Sequence, residues 1–175
     1  MTISVGLFAE NKTSHLETIV LGSGCFWGAE KGYESLVGVY DAVSGYSDGY
    51  GIRPSYREIT KFKNKFNDNN YAEVVEVTFN PERISYKDLV KKFFEIHDPT
   101  QMNRQGPDVG DQYRSVIFFH GDEQEKEAKE IFSEIEDSGE FANPIVTDIT
   151  PVETFYEAEE YHQQYLEKKG VNVCH

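Results

Sequence analysis

The chain has 175 residues, a length that suits one compact domain with a real hydrophobic core. Apolar residues make up 38% and aromatic ones 14%, which excludes a disordered chain, and a formal net charge of −14 excludes nonspecific attraction to nucleic acid or to an anionic membrane. No stretch approaches the ~20 apolar residues of a membrane span, and Met1 to His15 lacks the basic segment and apolar run of a signal peptide, so a cytoplasmic, monomeric protein is expected.

In chain order, Thr18-Ile19-Val20-Leu21 predicts a short buried strand that Gly22-Ser23-Gly24 breaks. Cys25 to Leu36 has helical length, Gly38 turns the chain, and Val39 to Ser44 alternates as a strand does. Gly45 to Pro54 is rich in Gly, Tyr and Ser and reads as a loop, and Lys61 to Asn70 as a solvated excursion. Glu73 to Phe79 is a β-branched strand stopped by Asn80-Pro81. Ser85 caps a helix that runs to about Ile96, with Asp88 supporting its first turn. A loop from His97 to Gly110 leads to a strand from Tyr113 to Phe119, a charged helix from Asp122 to Asp137, and a last strand from Ile145 to Ile149. Glu157 to Lys169 is expected to be helical, and Gly170 releases a tail that ends in Cys174-His175. Two βαβ units followed by further elements predict an α+β fold, a ferredoxin-like mixed sheet with helices on one face, extra helices and long loops. Residues 1–175 are expected to form one catalytic domain, with 1–17 an N-terminal extension and 170–175 a mobile tail carrying Cys174.

Cys25 and Cys174 are the only cysteines, near opposite ends, with no Cys-x-x-Cys pair for a zinc knuckle or a thioredoxin-type motif. Cys25 sits where a strand gives way to a helix. The partial positive charge of a helix N-terminus stabilises a thiolate, which is the nucleophilic form. Gly22-Ser23-Gly24 also invites a dinucleotide loop, but the third glycine of that pattern would fall at Trp27. Phe26 and Trp27 are either core aromatics or an apolar cup for a methyl group beside the thiolate, and an inert buried cysteine is the plain alternative for Cys25. Alternation puts Glu73 on the face of Val75 and Val77, opposite Glu76, an unusual place for a surface acid.

Gly24-Cys25-Phe26-Trp27-Gly28-Ala29-Glu30 resembles the signature of the A-type peptide methionine sulfoxide reductases, enzymes that reverse methionine oxidation. Ser55-Tyr56-Arg57-Glu58, Ala72 to Val75, His97-Asp98-Pro99-Thr100, Arg104 to Gly110, Gln112-Tyr113-Arg114-Ser115 and Tyr161 to Leu166 are similar to further family blocks in the family's order. The resemblance spans about Thr18 to Cys174. It implies that Cys25 attacks the sulfoxide sulfur and that Glu73, its proton retained by burial, protonates the departing oxygen. It also implies that Tyr56 and Tyr113 donate hydrogen bonds to that oxygen, and that Phe26, Trp27 and Asp108 bind the substrate. Cys174 is implied to resolve the Cys25 sulfenic acid as a disulfide that thioredoxin, or another dithiol, reduces; oxidised proteins and free methionine S-sulfoxide are the implied substrates, with no bound cofactor or metal.

Three departures from the family pattern stand out: Tyr71 where many relatives have histidine, a longer stretch between Tyr56 and Glu73, and no second cysteine after Cys174. Two other readings stay open on the residues alone. A Cys-His hydrolase would activate Cys25 through His97 or His162 and leave Cys174 idle, and a noncatalytic binding domain would tolerate loss of the thiol.

Overall fold

A computed structural model describes residues 15–51, 53–60 and 69–172. Cys174, residues 61–68 of the polar excursion and nearly all of the N-terminal extension lie outside the described residues. The elements in order are β1 (Glu17–Ser23), α1 (Phe26–Glu34), β2 (Val39–Ser47), α2 (Tyr56–Ile59), β3 (Ala72–Phe79), α3 (Tyr86–Glu95), β4 (Arg104–Gln105), β5 (Asp108–Val109), β6 (Ser115–Phe119), α4 (Gly121–Ser138), β7 (Asp148–Pro151), β8 (Phe155–Glu157) and α5 (Tyr165–Lys169). Short 3-10 turns occupy Asp111–Tyr113 and Glu160–His162. No helix among the described residues is long and apolar enough to cross a membrane.

The main sheet has the order β7-β6-β1-β3-β2-β8, and all its pairs are antiparallel except β6 with β7. The expected α+β class with a mixed sheet is therefore met. β1 is buried by neighbours on both edges and both faces, which is why its sequence runs apolar without alternation. Ile19, Leu21, Val75, Val77 and Ile117 meet the apolar sides of α1, α3 and α4, through Phe26, Tyr33, Leu89, Phe93 and Ile131 among others. Val20, Val74, Val116 and Phe118 point the other way and are covered by Val152 and Phe155. Ser85 caps α3 as expected, accepting the Asp88 amide while the Asp88 carboxylate takes the Ser85 amide at 3.1 Å.

Local patterns failed in the last third of the chain. Glu157 to Lys169 is not one helix. Glu157 pairs with Gly45 of β2, Gln164 takes a left-handed φ of 52°, and beyond the 3-10 turn only α5 is helical. Hydrogen bonds to distant chain hold this segment out of a single helix. The Gln163 side chain accepts from the Ser44 amide at 3.0 Å and donates to the Ser44 carbonyl at 2.9 Å, and the Gln164 amide donates to Glu30 at 2.7 Å. The last expected strand slides to Asp148–Pro151, where Ile149 pairs in parallel with Ile117. Tyr113 belongs to the 3-10 turn before β6, and the loop from His97 to Gly110 contains the β4–β5 hairpin. Tyr71, the departure from the family pattern, is buried edge-on against Tyr156 of β8, with ring centroids 6.1 Å apart.

His97 is placed to stabilise the fold. Its ring nitrogens meet the Phe93 carbonyl at 2.6 Å and the Ser115 hydroxyl at 2.8 Å, and Ser115 Oγ lies 2.7 Å from Thr147 Oγ1. Burial pushes its pKa down from an ordinary 6.5 to about 4, against the Phe93 carbonyl and Asp98, which favour the cation. Above pH 6.5 both states are neutral; between there and about 4 the unfolded chain takes up a proton that the folded one refuses, so stability falls as pH falls. The gap in unfolding free energy between wild type and His97→Asn is expected to narrow by up to roughly 3 kcal/mol from pH 7 to pH 4. Urea titrations of the two proteins across that range measure it, and a constant gap rules the account out.

Candidate active site

The strand-to-helix turn after β1 places Cys25. Gly24 has a φ of +88°, and a Cβ there would sit 2.7 Å from Gln105, so the β4–β5 hairpin packs directly on the backbone beside the thiol. Cys25 is the N-cap of α1, with φ −60° and ψ 123°, so its sulfur stands at the positive end of a nine-residue helix. The next amide, Phe26 N–H, donates to Glu73 Oε2 at 3.2 Å. The acid expected on the valine face of β3 is thus 1% exposed and tied to the same helix N-terminus as Cys25.

Tyr56 and Tyr113 close the group. Burial first, then Glu73, Cys25 and Asp108, pushes the Tyr56 phenol up to about 12. Burial, then Glu73, Tyr56, Asp108 and Cys25, raises that of Tyr113 further. Each tyrosine therefore feels the same three residues and keeps its proton at neutral pH, as a hydrogen-bond donor must. Tyr56 is held from behind: its amide donates to Glu159 Oε1 at 2.9 Å, and the Tyr46 hydroxyl donates to Glu159 Oε2 at 2.7 Å. Burial works against ionisation of Glu159, but the Tyr56 amide, its own amide and the Tyr46 hydroxyl hold its carboxyl below the ordinary range. Ser55 is the N-cap of α2, and its amide donates to Glu58 at 3.0 Å, the capping arrangement of the Ser-Tyr-Arg-Glu block.

Phe26 and Trp27 form an aromatic wall with partners from the C-terminal segment. Trp27 stacks on Tyr165 with centroids 3.8 Å apart and planes at 11°, and its indole N–H donates to His162 Nδ1 at 2.9 Å. His162 is 1% exposed and packs 4.3 Å from the Tyr56 ring and 5.0 Å from that of Phe26. Indole nitrogen only donates, so His162 accepts through Nδ1 and carries its proton on Nε2, which faces Glu159 at 4.0 Å. Burial lowers its pKa, with Glu159 opposing. His162→Leu is expected to cost about 1–3 kcal/mol in stability, since the half-buried indole loses its acceptor. It should also shift the emission of Trp27, the only tryptophan. Urea unfolding followed by fluorescence reads both, and unchanged emission counts against the bond.

Every predicted site residue within the described part converges here: Cys25, Phe26, Trp27, Tyr56, Glu73, Asp108 and Tyr113. Sequence reasoning missed Glu159, Tyr165 and the part played by His162. The signal for His162 and Tyr165 was the Tyr161 to Leu166 block, but it lies about 135 residues from Trp27 in sequence, where no periodicity links them, and Glu159 falls just outside it. Neither histidine is disposed as a base for Cys25. His97 spends both nitrogens on Phe93 and Ser115, and His162 faces Trp27 and Glu159. Another buried acid sits on α1: burial, with Glu34 adding to it, raises Glu30 to about 7 against hydrogen bonds from Gln164 and Ser44.

The family model described as peptide methionine sulfoxide reductase matches residues 17–175. Peptide methionine sulfoxide reductase MsrA of Methanosarcina mazei is 50% identical over 161 residues, which are 92% of this chain and 74% of that protein. The protein of the same name from Geobacter sulfurreducens is 45% identical over 163 residues, 93% of this chain and 98% of that one. Among solved structures, the reduced form of Mxr1 from Saccharomyces cerevisiae superposes with a TM-score of 0.81 at 38% identity, covering 90% of this chain and 88% of that one. A further structure of that yeast protein, in complex with Trx2, gives a TM-score of 0.60 at 30% identity and covers 92% of each chain.

Proposed function

The chain belongs to the peptide methionine sulfoxide reductase family and is an oxidoreductase, and from that premise we propose that it reduces methionine S-sulfoxide, free or in proteins, to methionine. One observation carries the reading: Cys25 and Glu73 share the N-terminus of α1, the acid bonded to the amide that follows the thiol. The Cys25 thiolate gives its electron pair to the sulfoxide sulfur, pushing the electrons of the S–O bond onto the oxygen. Glu73 gives the oxygen its proton, an assignment its near-complete burial among apolar neighbours supports. Tyr56 and Tyr113 donate to the oxygen as negative charge builds on it. Phe26 and Trp27 receive the methyl group, and Asp108 helps orient the substrate. The oxygen passes to sulfur of Cys25 as a sulfenic acid, and methionine leaves with two electrons more than it brought.

Cys174 then attacks the sulfenic acid, releasing water and leaving a Cys25–Cys174 disulfide. Thiol exchange with thioredoxin returns both thiols, a step supported by the yeast relative solved with Trx2. Resemblance to the A-type enzymes supports the S epimer, and recycling by thioredoxin fits a cytoplasmic setting. We also read β1-α1-β2 and β3-α3-β6, with the strand order β6-β1-β3-β2, as a ferredoxin-like core beneath the site.

The test incubates the protein with dithiothreitol and each methionine sulfoxide epimer in turn, measuring methionine by chromatography. Release from the S epimer alone is expected; release from neither removes the proposal. Cys174→Ser is expected to stop after about one turnover with thioredoxin and to continue with dithiothreitol. Sustained thioredoxin-driven turnover by that variant removes Cys174 from the cycle.

A further inference from the structure

Arg114 follows Tyr113 but is outside the reacting group. Its guanidinium is largely buried and uses two arms of its fork: Nη1 donates to the Asp111 carbonyl at 3.0 Å and Nη2 to the Asn70 carbonyl at 3.1 Å. These carbonyls belong to different stretches of chain. Asp111 opens the 3-10 turn that ends at Tyr113, and Asn70, left-handed with a φ of 57°, stands three residues before Glu73. Asp111, Asp48 and Asp148 are the carboxylates whose charge favours the cation there, against the cost of burial.

The sheet cannot make this connection. β1 lies between β6 and β3, so no backbone ladder joins the segment of Tyr113 to that of Glu73. Their approach is allowed where β1 carries Gly22: a Cβ there would lie 3.3 Å from the Glu73 carbonyl oxygen, 3.5 Å from that of Arg114 and 2.7 Å from the Val116 side chain. Glycine lets the two segments close over β1, and Arg114 bolts them together. A planar fork reaches two carbonyls at fixed angles, which the single ammonium of lysine does not.

We propose that Arg114 is a positioning residue for protonation of the sulfoxide oxygen, holding the Tyr113 hydroxyl in register with Glu73. It rests on the reading of Tyr113 and Glu73 given above. The test is a double-mutant cycle on the full chain: wild type, R114K, Y113F and R114K/Y113F, each in excess over methionine S-sulfoxide. Methionine is quenched and counted, and rates are corrected for the folded fraction. R114K and Y113F are each expected to slow the first step by roughly 10–100-fold, the scale of a misplacement near 1 Å, at unchanged half-saturation. The double variant is expected to match Y113F alone, because without the hydroxyl there is nothing left to position. Effects that multiply, or an R114K rate equal to wild type, overturn the proposal. An unimpaired Y113F overturns the reading of Tyr113, and the proposal with it. R114Q serves in place of R114K should the latter not fold.

Discussion

Replacing Cys25 with serine is expected to drop reduction of methionine S-sulfoxide to the rate seen without protein. The change exchanges one atom, so Gly24, α1 and the Phe26–Glu73 bond have no steric reason to move. What changes is the nucleophile. The helix N-terminus stabilises an anion by about 0.3–2 kcal/mol, enough to favour a thiolate whose free pKa is already near 8.5, but far too little to ionise an aliphatic hydroxyl at neutral pH. Serine also offers no sulfur for the sulfenic acid or the disulfide. Methionine released in dithiothreitol measures the effect, and a thermal melt close to wild type shows that the fold survived. Reduction within tenfold of wild type would move the nucleophile elsewhere.

Glu73→Gln should slow the first step by about 10²–10⁴-fold, the usual contribution of a positioned general acid. Glutamine keeps the shape, and its amide oxygen still accepts from Phe26 N–H, so the contact seen at 3.2 Å survives. The loss is the acidic proton. Tyr56 and Tyr113 remain as donors to the oxygen, but burial, which the substitution leaves in place, raises their pKa values and makes them poor sources of a proton near pH 7. A single-turnover measurement isolates this step from disulfide recycling. A rate within threefold of wild type would dismiss Glu73 as the acid. Stability is expected to change little, and a urea titration checks that the slow step is not a folding defect.

Much of this site was legible without coordinates because its core is local. Gly-Ser-Gly before Cys25 marks a strand-to-helix turn from backbone sterics alone, and β-alternation assigns Glu73 to the inner face through Val75 and Val77. Tyr56 and Tyr113 were different. Eleven tyrosines offer no period or spacing that selects two, and only the family resemblance named them. The error over Glu157 to Lys169 has a physical origin too. Helical composition there is real, but the Gln163 side chain is anchored on Ser44 and the Gln164 amide on Glu30, and both bonds hold the chain at a left-handed turn that a continuous helix cannot contain.

By itself, then, the sequence determined the elements whose signal repeats within a few residues: the buried strands, the capped helix α3 and the turn that presents Cys25. The tertiary structure decided what crosses long distances. It brought His162 under Trp27, Glu159 behind Tyr56, and Arg114 onto the carbonyl of Asn70. Those contacts join chain that is up to 135 residues apart, and each is selected by burial. A polar group taken out of water must find a partner, and which partner it finds depends on the packing of the whole sheet and its helices.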